Sequence, residues 1–191
     1  MGFLDGLLGG KRKLNTPAPD RLFAMTTANI TFETALNLKH KQAAGIVFQA
    51  LGTADFAQIL KETEELVRGS AEDTGTVVES SEDEFGYRWI VLKDSDFDDL
   101  VVAVNTVSTQ LEGEGYGDRL LAAVFAFEEE RRPVYFIYNY KRGAFYPFVP
   151  KDAAGKSRDT ERELRLKAQI AAELPLEPEM ERWFPLWEIP L

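Results

Sequence analysis

The apolar and polar positions of the chain beyond residue 20 alternate between short sheet-like runs and longer stretches of helical period. "NITFETAL" (29–36) and "GIVFQAL" (45–51) predict strands, separated by a polar loop that carries His40, the sole histidine. Over 55–68, Phe56, Ile59, Leu60, Thr63 and Val67 recur on one face. Asp55 with Gln58 forms a capping box and Gly69 supplies a stop, so a first helix is predicted there. "TVVES" and "FGYRWIVL" predict a hairpin closed by the acidic turn "SEDE". Leu100, Val101, Val104, Val107, Ser108 and Leu111 predict a second helix over 97–112, ended by Gly113 and Gly115.

"RLLAAVFAF" (119–127) is apolar throughout, as expected of a strand covered on both faces. One face carries Leu120, Ala122, Val124 and Ala126; the other carries Leu121, Ala123, Phe125 and Phe127. The smaller first face predicts a closely packed helix above it. "EEERRP" then turns the chain into "VYFIYNY", and "KRG" turns it into "AFYPFVP". Residues 135–150 thereby hold seven aromatic rings, read as core and cross-strand packing. Pro147 can donate no ladder hydrogen bond, which makes the second of these strands an edge. A third helix is predicted over about 160–173, with Thr160 and Glu163 as its capping box and Leu164, Ala168 and Ala171 facing in. The end, "LPLEPEMERWFPLWEIPL", is too proline-rich to be helical and too aromatic to hang in water. It is expected to lie across the body as an extended clasp over 175–191, with Trp183, Phe184 and Trp187 buried.

The resulting fold class is α+β: a mostly antiparallel sheet with helices packed on one side, ferredoxin-like order in the middle of the chain (45–127) and an extended C-terminal aromatic tail. Residues 1–20 read as an amphipathic segment and linker, and 21–191 as a single α+β domain.

Composition narrows the function. Acidic residues number 32 against 22 basic ones, a formal charge of −10 that disfavours general nucleic-acid binding. With no cysteine, disulfides, thiolate metal sites and a cysteine nucleophile are all excluded. No apolar run approaches the roughly 20 residues needed to span a bilayer, and the N-terminal pattern is not that of a signal peptide.

The near-motifs read as structure. "GEGYG" (113–117) follows a helix and leads into a strand, the reverse of a phosphate-binding loop. "DSDFDD" (94–99) lacks the glycine and glutamate of a calcium loop, so its carboxylates are read as helix caps. His40, between two lysines and without cysteine partners, is read as solvent-exposed. No catalytic, cofactor-binding or metal-ligating residue is expected.

Two surfaces stand out instead. At the tip of the aromatic hairpin, Lys141 and Arg142 stand beside Phe145 and Tyr146, a candidate partner contact on an otherwise acidic protein. At the N-terminus, "MGFLDGLLGGKRK" places Phe3, Leu4, Leu7 and Leu8 within one helical arc of about 140°. Lys11, Arg12 and Lys13 follow, as in segments drawn to anionic lipid. The segment either attaches weakly and reversibly to such a surface, or stays disordered, or docks on its own domain or on a partner.

"YKRGAFYPFVP", "MGFLDGLLG" and "RWFPLWEIPL", with "LFA" at 22–24 and "GYRWIV" at 86–91, together resemble the phage-shock-protein-A-associated family PspAB. The resemblance implies a cytoplasmic accessory protein of actinobacteria or archaea; weak attachment of the N-terminal segment would make it peripheral at the inner face of the cell membrane. It would act alongside PspA or other phage-shock proteins. It brings no catalytic residues to transfer. The reading is therefore a non-enzymatic adaptor; the alternative is a small ligand-binding protein or hydrolase with a site in the sheet.

Overall fold

The structure, a computed structural model, describes residues 19–83, 85–152 and 156–191. The first element, α1 (Pro19–Ala35), corrects the expectation of a strand at 29–36. Leu22, Met25, Ala28 and Phe32 are all buried, a spacing of three to four that only a helix can turn to one side. Within the shorter window Ile30 and Phe32 mimic strand alternation, yet Ile30 is 64% exposed and Phe32 fully buried.

The chain continues through β1 (Lys39–Gln49), α2 (Ala54–Thr74), β2 (Val77–Glu82), β3 (Tyr87–Lys93), α3 (Phe97–Gly113) and β4 (Leu120–Glu129). A meander of β5 (Arg132–Asn139) and β6 (Ala144–Phe148) follows, then a short ribbon of β7 (Pro150–Asp152) and β8 (Ser157–Arg158), and finally α4 (Thr160–Ile170). The six main strands lie in the order β2-β3-β1-β4-β5-β6, every neighbouring pair antiparallel. The first four strands with α2 and α3 reproduce the ferredoxin-like order expected for the middle of the chain, and β5 and β6 extend its β4 edge.

The four α-helices of the described residues cover one face. Phe32 of α1 stacks on Phe136 at 4.4 Å and meets Phe127 edge-on at 5.3 Å, while Phe97 of α3 lies 5.9 Å from Phe125. The helix layer therefore rests on the Phe125 and Phe127 face of β4, not on the alanine face as the sequence suggested. Ala122, Val124 and Ala126 turn to the opposite side, where the extended tail lies with Trp183, Leu186, Met180 and Trp187. Tyr146 and Phe148 on β6 supply the large rings of that face. Trp183 stacks on Tyr146 at 6.3 Å and Trp187 stands on Phe148 at 5.2 Å, so small residues on β4 leave width for the indoles. Trp183 is buried as expected, whereas Phe184 and Trp187 are only partly covered.

Helix ends differ in detail from expectation. Thr53 Oγ1 accepts the Phe56 N–H at 3.3 Å, so Thr53 rather than Asp55 closes the first turn of α2. The helix runs through Gly69 to Thr74. α3 is capped by Asp96, whose side chain accepts the Asp98 N–H, and its end passes into Gly115 at a φ of 85°. α4 is capped by Asp159 rather than by Thr160 and Glu163, and its inward residues are Glu163, Leu166 and Ile170. Leu164 is 43% exposed. A buried carboxylate at Glu163 broke the apolar pattern from which the inward face was inferred.

Candidate functional site

The aromatic hairpin is core. Phe136, Tyr138, Phe145, Tyr146 and Phe148 are buried on β5 and β6, and Gly143 makes the turn at a φ of 61°. The candidate contact of Lys141, Arg142, Phe145 and Tyr146 therefore does not assemble on the surface. Phe145 and Tyr146 are both wholly inaccessible, and only the two basic side chains reach solvent in part. Burial pushes the phenols of Tyr138, Tyr140 and Tyr146 upward from their ordinary range.

Arg142 instead belongs to a set of charges that fasten the tail. Glu177 is 4% exposed and lies 3.7 Å from both Arg142 and Arg182. Its backbone extends β6: the Phe145 N–H donates to the Pro175 carbonyl and the Glu177 N–H donates to the Phe145 carbonyl, each at 2.8 Å. The β6 edge predicted from Pro147 is thus partly covered by the chain itself. Further on, Arg158 Nε donates to both Glu163 carboxylate oxygens at 2.9 and 2.8 Å, and Arg158 Nη1 donates to the Trp183 carbonyl at 2.7 Å. Burial pushes the Glu163 carboxyl upward, against Arg158 and the Val149 N–H, which favour its charged form. The Tyr146 hydroxyl donates to the Phe184 carbonyl at 2.9 Å. Arg142, Arg158 and Tyr146 thereby hold 175–184 in place, and Glu163 orients Arg158.

His40 is a correction. β1 begins at Lys39, so His40 lies in a strand and not in a loop. Its side chain is 16% exposed, its ring meets Phe97 edge-on at 5.4 Å, and Nε2 lies 3.8 Å from Glu33. The polar run "KHKQ" masked the strand, which bulges at Gln42 with a φ of 56°. Asp94 is likewise structural: it accepts from the Thr76 hydroxyl at 2.5 Å and from the Asp96 N–H at 2.8 Å. Among the described residues no cluster of three or more His, Asp or Glu side chains could hold a metal ion.

Among the described residues, one open concavity lies on the helix layer. A groove of about 130 Å³ runs between the second half of α2 and the first half of α3. Leu66, Val67, Ser70 and Thr74 form one wall and Asp99, Val102, Ala103 and Thr106 the other, with Thr76 at its base. Leu66 is 49% and Val102 51% exposed. Partial burial, then the nearby carboxylates of Asp96, Asp94 and Asp98, push the Asp99 carboxyl upward. Neither Leu66 nor Val102 was singled out from the sequence, although a signal existed. Each is an apolar residue off the inward stripe of its helix, surplus to the core it helps to predict. The N-terminal candidates Phe3, Leu4, Leu7, Leu8, Lys11, Arg12 and Lys13 lie outside the described residues.

No curated protein and no solved structure matches the chain with significance. The family model PspAB, described as PspA associated protein B, matches residues 1–191, and the chain belongs to that family.

Proposed function

We propose that the protein is a non-enzymatic accessory factor that acts through direct contact with PspA. The observation that carries this reading is the family match over the whole chain, whose description names association with PspA. The fold is consistent with it in a specific sense. Both faces of the six-stranded sheet are filled, one by helices and the other by the tail, and the polar residues brought together by the hairpin hold that tail. The groove on the helix layer, about 130 Å³, is small beside the roughly 300–1,000 Å³ of ligand pockets. Among the described residues no cluster of three or more His, Asp or Glu side chains supports the alternative of a metal-assisted hydrolase.

No described helix is long and apolar enough to cross a membrane. A peripheral contact at the inner membrane face rests on the N-terminal sequence alone. Phe3, Leu4, Leu7 and Leu8 supply an apolar face and Lys11, Arg12 and Lys13 attract anionic lipid, which together give weak, reversible attachment. Affinity capture of the tagged chain from cells under envelope stress tests the partner. Recovery of PspA above the level of a tag-only control is expected, and its absence would overturn the reading. Flotation with anionic and neutral liposomes at low and high salt tests the second contact. Preferential, salt-sensitive flotation with anionic lipid is expected; equal flotation with both lipids, or none with either, removes the membrane role.

A further inference from the structure

We propose that the groove between α2 and α3 is the seat of this chain's own N-terminal segment. Phe3, Leu4 and Leu7 would lie against Leu66 and Val102, and Lys11, Arg12 and Lys13 against the carboxylates at the start of α3. Three independent features of the molecule converge on that occupant.

The first is shape and polarity. Leu66 and Val102 face each other across the groove from helices whose other outward positions are mostly polar. An apolar pair of this kind, half exposed on each side of a cleft, suits the apolar face of a short amphipathic segment. Residues 1–13 contain such a face and end in three consecutive basic residues.

The second is charge. α3 contains no basic residue, and its first turn carries Asp98 and Asp99 behind the Asp96 cap. The two basic residues of α2, Lys61 and Arg68, lie 3.7 and 3.8 Å from Glu65 and Glu64 on the same helix. Asp99 sits in the groove wall among three further aspartates, a position that a basic segment relieves. A second acidic body of this chain would meet repulsion there.

The third is reach. Arg21, near the start of α1, donates to the Gly143 carbonyl at 3.1 Å and lies by Tyr138, which is itself near Glu112 at the end of α3. The groove is centred on Val102 and Ala103, ten residues back along α3, or about 15 Å at 1.5 Å per residue. One helix width of roughly 10 Å separates it laterally. With Lys11, Arg12 and Lys13 seated, only residues 14–18 bridge the gap to Pro19, and their extended span of about 20 Å covers the diagonal of roughly 18 Å.

The same apolar face cannot occupy the groove and a bilayer together. Seating therefore holds the segment back from lipid until a surface, or a partner, competes for it. This inference stands apart from the contact with PspA, and either can fail without the other.

The chain has no cysteine, which makes the test direct. In the full-length protein Leu7→Cys is combined with Thr106→Cys in the groove wall, or with Gln169→Cys on exposed α4 as the control. Oxidation is followed on non-reducing gels. A several-fold faster crosslink at 106 than at 169, within one chain and independent of protein concentration, is expected. Adding Leu66→Asp and Val102→Asp should abolish that preference while circular dichroism stays unchanged, and should raise flotation with anionic vesicles. Equal crosslinking at both positions overturns the proposal. So does a crosslink that forms only between chains, seen by mixing isotopically light and heavy protein, because the groove then seats a second copy.

Discussion

At the scale of single residues, the charges that look like a recognition tip are tethers. Glu163 is wholly buried and receives both Arg158 and the Val149 N–H. Arg158→Met leaves that carboxylate without its guanidinium, and breaking a buried pair in this way costs about 3–5 kcal/mol. Chemical denaturation should show this loss, and Arg158→Met combined with Glu163→Leu should recover part of it. Arg142 provides a second case. As an ordinary turn charge its reversal would matter little, but Glu177 beside it is 4% exposed. Arg142→Glu should therefore cost on the order of 1–3 kcal/mol, the penalty for leaving a buried polar group unmatched. A change within experimental error would show that Arg182 alone suffices for Glu177. These roles were not legible in the sequence, because a buried ion pair shows nothing of itself in local pattern. Glu163 was read as half of a capping box, and Arg142 as part of a partner-contacting tip.

At the scale of elements, legibility followed the length of the periodic signal. α3 was read with six of its eight buried residues, because so many of its seventeen positions face in at helical spacing. α1 was missed because only a window spanning Leu22 to Phe32 reveals its period, while "NITF" alone alternates. β1 was read from Gly45 onward, but its start with His40 was missed because its first four residues are polar. The ferredoxin-like order could be read, but the pairing could not: that β1 lies between β3 and β4 depends on contacts distant in sequence. The tail was legible from composition, since proline and tryptophan together exclude both a helix and a free end. Its position on the alanine face of β4 was not. Trp183 is its anchor, 2% exposed against Tyr146, with its indole N–H donating to the Glu177 carbonyl at 3.0 Å. Trp183→Ala should cost about 3–5 kcal/mol and lower the melting temperature by roughly 6–20 °C for a chain of this size. An unchanged thermal melt would mean that the tail contributes nothing to stability and is free to leave the sheet.

At the scale of the whole molecule, filled faces set its pH behaviour. Burial raises the pKa of Tyr135, Tyr138, Tyr140 and Tyr146 in the folded state. A raised pKa means that the folded protein keeps protons that the unfolded chain releases above about pH 10. The stability these phenols contribute is fully present below that pH and is lost as pH rises beyond it. The slope approaches 1.4 kcal/mol per pH unit for each such group. Denaturation midpoints should therefore fall steeply above about pH 10, and Tyr140→Phe should make that fall shallower. A stability profile flat to pH 12 would show that the phenols are not held from solvent.

The same sealed body leaves its surfaces to do the work, and the central claim is that one of them binds PspA without catalysis. The most direct measurement is a titration of the purified full-length protein with purified PspA, read by calorimetry and by co-elution. Saturable binding of fixed stoichiometry, with both proteins recovered chemically unchanged, is the predicted result. Absence of binding across the accessible concentration range, or covalent change in either protein during the titration, would contradict it.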